Sequence, residues 1–188
     1  MKIFFFCFIA LISIFTSAES FGSASQLNRY DDKSKIYSGK LGDSAYAALN
    51  QYLTTALNSK PKDSIIIKYD YNNDTCWNIL DKKSAKHIKD FVRRRKERVQ
   101  QVLATRHNVS VFNFREPGNN LNKIKKWDNS ILIDSSKQLY NLIFIERCTC
   151  GNSIIVMPDK RFVFMRSDPH LEVLNLTQKQ IEKILSKN

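Results

Sequence analysis

The chain has 188 residues, 43% of them hydrophobic, and a formal net charge of +12. That length allows one domain, or one domain with an arm, and the apolar fraction is enough to fill a core. With 5 glycines and no repeat at a fixed period, the sequence argues against a glycine-rich phosphate loop and against a solenoid.

The N-terminus reads as a targeting segment. Met1-Lys2 is a minimal positive region, residues 3–15 are nearly all apolar, and Thr16-Ser17-Ala18 supplies small residues at a cleavage site. The apolar run is short for a bilayer span, although an uncleaved anchor helix is the alternative. The expectation is a signal peptide over residues 1–18, cleaved close after Ala18. That would give a periplasmic or secreted protein with no stable membrane span. Cys7 is discarded with the signal, leaving Cys76, Cys148 and Cys150 in an oxidising compartment. Three cysteines mean one pair and a leftover, or exchange among all three, and their spacing does not choose.

The basic balance survives the loss of Lys2. It reads either as a solvated surface that keeps an exported protein soluble, or as attraction to an anionic partner such as nucleic acid, acidic glycan or a membrane surface. No aromatic-interleaved basic motif is present, which favours the first.

Residues 19–42 are rich in Ser, Gly, Lys and Asp without a period, and read as an exposed arm ahead of a domain over residues 43–188. From Asp43 the pattern predicts a helix. Ala45, Leu49, Tyr52, Leu53, Ala56 and Leu57 keep to one face, with Asp43 or Ser44 as the cap. Residues 64–71 predict a strand, and three consecutive isoleucines suggest cover on both of its faces. A polar loop over residues 72–78 carries Cys76 and Trp77. A second helix is predicted over residues 84–105, with Ala85, Ile88, Val92, Val99 and Val102 as its apolar stripe. Arg95 falls inside that stripe. It is either a snorkelling side chain with a wet head, or a positive charge held near a substrate or near Cys76. Arg93 and Glu97 are spaced to pair.

Residues 109–114 alternate as a strand. Residues 120–127 form a short amphipathic helix or turn, and residues 131–134 a short extended piece. Leu139, Leu142 and Ile143 fit one helical face, yet residues 142–145 fit a strand equally well. A hairpin follows: an apolar run over residues 154–157, a Pro158-Asp159-Lys160 turn, and a second strand over residues 161–166. Asp168-Pro169-His170 reads as a bend. Thr177-Gln178-Lys179-Gln180 is a capping-box pattern opening the last helix. Strands alternating with helices predict an α/β or α+β sandwich with a largely central sheet and a right-handed crossover between the Ile65 and Val111 strands. Ile66, Ile67, Val111, Ile155 and Val156 are expected to form one buried sheet core.

This order resembles the thioredoxin-like superfamily, in particular exported thioredoxin-like and peroxiredoxin-like proteins, over about residues 62–187. The residues that carry the resemblance are Ile65-Ile66-Ile67-Lys68-Tyr69 followed by Cys76, the Ile131-Leu132-Ile133-Asp134 segment, the hairpin from Ile154 to Phe164, and Leu176-Thr177-Gln178-Lys179-Gln180-Ile181. The pattern is one of order and spacing. The family's active site is Cys-x-x-Cys, and only its first cysteine is matched by Cys76-Trp77-Asn78-Ile79. The family's cis-proline has no counterpart at Asn152 or Ser153.

The resemblance implies a three-layer α/β sandwich, with a central sheet, helices on both faces, and a C-terminal β-hairpin plus helix. It also implies that the Cys76 loop lies beside the segment carrying Cys148 and Cys150. If that segment is extended, both cysteines point to one side and either could reach Cys76. The bond would then be structural, or a redox centre in which Cys76 attacks as thiolate and Cys148 or Cys150 resolves. The partners implied by the redox reading are protein thiols or disulfides.

Other constellations are weaker. Cys148, Cys150 and His170 do not have a usual zinc spacing, and no metal or cofactor is expected. A Cys76–His170 nucleophile pair would need a contact that the sequence does not show. Two function classes follow: a thiol–disulfide oxidoreductase of the cell envelope, and a non-catalytic secreted basic binding module with a structural disulfide.

Overall fold

The computed structural model describes residues 35–118 and 124–186. The signal-peptide reading falls outside these residues, as does most of the arm. What is described of the arm is not loose. Ile36–Lys40 forms strand β1, antiparallel to the second hairpin strand, with Ile36 opposite Met165 and Lys40 opposite Arg161. Ile36 and Tyr37 pack against the core from either side of this edge.

The remaining elements in chain order are α1 (Asp43–Leu57), β2 (Ser64–Asp70), α2 (Thr75–Asp81), α3 (Ala85–Thr105), β3 (Val109–Arg115), α4 (Ile124–Trp127), β4 (Ile131–Ile133), α5 (Gln138–Leu142), β5 (Asn152–Val156), β6 (Arg161–Met165), a 3-10 turn (Glu172–Asn175) and α6 (Gln178–Leu185). The strands form one six-stranded sheet in the order β1-β6-β5-β2-β3-β4. β2 runs parallel to β3 and antiparallel to β5, so the three isoleucines do sit in a central strand. The β2–α3–β3 crossover and the β5–β6–α6 hairpin unit meet along β2. This is a mixed α/β sandwich whose strand order and pairing are consistent with a thioredoxin-like fold.

The core lies in layers on both sides of the sheet, because successive strand residues face opposite ways. Ile65, Ile67, Tyr69, Ile154, Val156 and Phe164 pack under α1 and α5, through Leu49, Leu53 and Leu139. Ile66, Ile155, Val163 and Met165 face the opposite layer, where Val173, Leu174, Ile181 and Leu185 cover them and α3 adds Val99 and Val102. The five residues expected in one core are therefore split between two. Ile67 and Val156 belong to the first layer, Ile66 and Ile155 to the second. Val111 is half-buried against the second.

Local signals are borne out with small shifts. Thr177 caps α6 in a full capping box with Gln180, and Ser84 caps α3 by accepting the His87 N–H. At α1 the cap is Gly42, extended and without a side-chain bond. Asp43 lies in the first turn instead, where its carboxylate meets Lys160 Nζ at 2.7 Å. Within the ambiguous stretch over residues 135–145, Gln138–Leu142 is helical and residues 142–145 form no strand, and Asp134 is the reason. Its buried carboxylate accepts the Leu139 and Tyr140 N–H groups together with the Tyr52 and Tyr69 hydroxyls, which ties the start of α5 to β2 and α1. The polar loop over residues 72–78 ends in a helix, α2. The side chain of Asp74 caps it by accepting the N–H of Cys76 at 3.0 Å.

Candidate functional site

The α3-facing side of the sheet changes character along its strands. At Ile66, Val111 and Ile155 it is apolar. One pleat further, Lys68 stands opposite Asn113 and Ser153 in the ladder, and the next pleat brings Asp70 opposite Arg115. All five of these side chains are buried. Polar groups thus gather at the carboxyl ends of the parallel strands β2 and β3, where ligand sites form in open α/β sheets. Buried charges need partners, and these have them. Lys68 Nζ is 2.9 Å from Asp70 Oδ1 and donates to the Cys150 carbonyl at 2.7 Å. Arg115 stacks over the Trp77 ring, and its burial pushes its pKa down against the pull of Asp70, Asp81 and Asp74.

Cys76 and Cys150 are joined as a disulfide across this end of the sheet, with Cα atoms 5.2 Å apart. Two local features bring them together. On one side, Asp74 caps α2 and points Cys76 back over the end of β2. On the other, residues 148–151 turn sharply: the Gly151 N–H donates to the Cys148 carbonyl, and both Cys150 (φ 66) and Gly151 (φ 68) are left-handed. Gly151 has no room for a side chain. A Cβ there would overlap Lys68 Nζ, the Tyr69 carbonyl and the Asp70 carboxylate. Gly151→Ala should therefore be strongly destabilising, by about 2–4 kcal/mol, from the wrong φ and from overlap with backbone and a buried ion pair. Urea unfolding of the oxidised protein measures this, and a change below about 0.5 kcal/mol would contradict the close approach.

That turn corrects the expectation that Cys148 and Cys150 point to one side. The segment is not extended, and the left-handed residue at 150 turns its side chain away from that of Cys148. Cys150 reaches Cys76, while Cys148 is a free thiol with no exposure. Its sulfur lies 3.9 Å from the Glu146 carbonyl, and desolvation pushes its pKa up to about 11. It is poorly placed to resolve a mixed disulfide.

The raised pKa carries a sign. Below the thiol's ordinary value near 9 both folded and unfolded chains hold the proton. Above it the unfolded chain ionises first, so stability falls as pH rises from 9 to about 11. Cys148→Ala should flatten that part of the stability–pH curve, as read from urea midpoints at pH 8, 9 and 10. An unchanged slope would mean that the thiol titrates normally.

The loop that presents these cysteines is pinned by polar contacts. The Tyr71 hydroxyl donates toward the Phe144 and Glu146 carbonyls, and Asn152 Nδ2 donates to the Tyr71 hydroxyl and the Glu146 carbonyl. Arg147 grips both carboxylate oxygens of buried Glu116 at 2.6 Å and donates to the Asn72 carbonyl at 3.1 Å. Asp168 is buried at the far wall. It accepts from the Ser153 hydroxyl and from the N–H groups of Glu172 and Val173. The Asp168-Pro169-His170 bend is thereby fixed, and Pro169 and His170 are presented at the rim.

The disulfide opens onto a cavity of about 360 Å³ lined by Asp70, Cys76, Trp77, Ile79, Leu80, Phe91, Cys150, Pro169 and His170 among others. Its walls are mostly apolar, and Ile79 is 55% exposed beside it. His170 and Cys76 line the same cavity. His170 does not join Cys148 in a metal site, since Cys148 is buried elsewhere. Oxygen of Asp74 and the sulfurs of Cys76 and Cys150 lie within 4.8 Å of one another. Joined as a disulfide, the two sulfurs are not thiolate ligands, so only the carboxylate remains to hold an ion. Burial raises the pKa of Asp74, and Asp70 pushes the same way against the Cys76 and Cys150 N–H groups and Lys68.

No protein-family model matches the chain, and no curated protein matches it. The chain is similar to a solved structure, that of a secreted Mycobacterium tuberculosis disulfide oxidoreductase homologous to E. coli DsbE, at 8% identity and a TM-score of 0.37, covering 68% of this chain and 84% of that one. Among the described residues no helix is long and apolar enough to cross a membrane.

Some site residues escaped the sequence reading. Asp74, Lys68, Asp70 and Gly151 were not singled out. The signal for Lys68 and Asp70 was present: a lysine and an aspartate two apart at the end of a buried strand occupy one face, and a buried pair needs a reason.

Proposed function

We propose that the protein exchanges thiols and disulfides at Cys76–Cys150. The observation that carries this reading is the placement of the disulfide. It lies half-exposed on an apolar-walled cavity at the carboxyl end of the sheet, beside a buried carboxylate and a buried ion pair. A bond serving only as a staple needs neither an open cavity nor charges held in low dielectric around it.

In the oxidising direction, a substrate thiolate attacks the Cys76 sulfur. The Cys76–Cys150 bond breaks, and Cys150, whose carbonyl accepts from Lys68 Nζ, leaves as a thiolate. The second substrate thiolate then attacks the mixed disulfide and releases Cys76. The substrate dithiol is oxidised by two electrons, the protein disulfide is reduced by two, and the two substrate protons end on Cys76 and Cys150 or in solvent. Read backward, Cys76 is the nucleophile and Cys150 resolves. Cys148 takes no part. The partners of this reaction are protein thiols or disulfides, and the setting we assign is the periplasm or the exterior, after cleavage near Ala18.

The test is equilibration of the purified protein in glutathione buffers of graded poise, with thiols trapped and counted by mass. A centre that opens within the glutathione range supports exchange. A bond that stays closed until below about −300 mV is structural, and the protein is then a non-catalytic basic binding module.

A further inference from the structure

A second cavity, of about 420 Å³, adjoins the cavity onto which the disulfide opens. It is lined by Lys68, Arg94, Arg95 and Arg98 with Trp77, Phe91, Pro169, His170 and Leu171. Trp77, Phe91, Pro169 and His170 belong to both cavities, so the two share a wall and a ligand crossing that wall touches both.

The charges in this cleft are unevenly matched. On α3, Arg93 is paired with Asp90 and Glu97, and Lys96 with Asp128. In the cleft, Lys68 is already paired with Asp70. Arg94, Arg95 and Arg98 have no carboxylate within 4 Å among the described residues. They recur with Phe91 at helical spacing, at positions i, i+3, i+4 and i+7, which puts all four along one side of α3. The other bonds of the arginines hold them in place without neutralising them. Arg95 donates to the side-chain carbonyl of Asn113. Arg98 donates to Asn175 and to the His170 carbonyl at 2.7 Å. The Nε–H of Arg95 is buried with no acceptor. A buried donor left unmade is costly, and three guanidinium groups crowded around one cavity repel each other. An anion relieves both.

We propose that the Arg94–Arg95–Arg98 cleft binds carboxylates of an acidic polypeptide segment that flanks the reacting cysteine of a substrate. Arginine forks suit carboxylates, which accept two parallel N–H bonds, and Trp77 and Phe91 give the chain between thiol and acid an apolar wall. The inference rests on the exchange reading for its substrate, but the cleft has its own readout.

The experiment uses two matched peptides, each with one cysteine, flanked by aspartates in one and lysines in the other, together with serine versions of both. The cysteine peptides report the rate of mixed-disulfide formation with the oxidised protein. The serine peptides report binding alone, by fluorescence anisotropy. The aspartate peptide should react at least tenfold faster than the lysine peptide at 20 mM salt, and the gap should shrink at 0.5 M salt. The serine–aspartate peptide should bind, and Arg94→Gln and the Arg94→Gln/Arg95→Gln pair should weaken it stepwise. Arg94 is exposed, so its single variant keeps the test independent of folding, and melting curves check the pair. Equal rates for both cysteine peptides with no binding of the serine–aspartate peptide overturn the cleft. Salt-sensitive binding of the serine–aspartate peptide, lost in the variants while neither cysteine peptide opens the disulfide, keeps the cleft and overturns the exchange reading.

Discussion

Ile66→Asp should leave the protein without a cooperative unfolding transition. Ile66 has no exposure and sits between Val111 on β3 and Ile155 on β5, in the layer closed by Val173, Leu174, Ile181 and Leu185. A carboxylate there meets only apolar side chains, and Lys68, on the same face of the strand, is already committed to Asp70. The effective cost of burying an unpaired ion is several kcal/mol after relaxation, on top of the roughly 2–5 kcal/mol of lost packing that truncation at such a site brings. Together these rival the total stability of an ordinary domain, about 5–15 kcal/mol. Ile66→Val removes only a methylene and should cost about 0.5–1.5 kcal/mol. Thermal and urea melts of the pair separate charge from volume. A native melting curve for Ile66→Asp would mean that Ile66 is not in a central strand.

The same residue shows why much of the fold could be read from the sequence. Three adjacent isoleucines fill both faces of one strand, and only a strand with neighbours and cover on both sides satisfies that. The helices were legible from period and caps, as at Ser84 and Thr177. What period could not supply was which face meets which layer, so Ile66 and Ile67 were placed in one core although alternation separates them. β1 was unreadable for another reason. Ile36-Tyr37-Ser38-Gly39-Lys40 has little apolar content of its own and is a strand because it borrows its ladder from β6. Gly39 serves that pairing, since a Cβ there would press on the Phe162 ring. α5 turns on the carboxylate of Asp134, which anchors the nearby Leu139 and Tyr140 N–H groups and is itself held by the distant Tyr52 and Tyr69 hydroxyls, and propensity over residues 135–145 does not contain that.

At the site, the sequence showed which cysteines could meet, through a resemblance of order and spacing, but not which one does. The choice between Cys148 and Cys150 is made by backbone handedness at Cys150 and Gly151. A non-glycine residue in the left-handed region leaves no pattern in a single sequence. Arg95 was the opposite case. Its misplacement inside an apolar stripe was visible at once, and the structure keeps both readings in part: its head is half-buried against Asn113, and it faces a cleft beside the disulfide.

Cys76→Ser should abolish exchange while costing little stability, about 1–2 kcal/mol or less. The argument is one of linkage. A disulfide that closes a loop across 74 positions restrains the unfolded chain by about 4–5 kcal/mol in the chain-entropy model. If the folded protein kept all of that gain, reduction would carry the same cost. At about 1.4 kcal/mol per 30 mV, the bond would then lie far below the reach of glutathione. An exchange centre therefore gives most of it back, through a reduced state that is itself well stabilised. Here the reduced state has the means: Lys68 holding the Cys150 carbonyl, the α2 cap at the Cys76 N–H, and a loop already pinned by Tyr71, Asn152 and Arg147 without the bond. Urea unfolding of oxidised wild type, reduced wild type and Cys76→Ser reads the three states directly. The expected result is three midpoints close together, with exchange lost in Cys76→Ser and retained in Cys148→Ala, whose thiol is buried outside the reaction. A drop of about 4–5 kcal/mol in both reduced wild type and Cys76→Ser would make the bond a staple and leave the basic surface as the working part of the molecule.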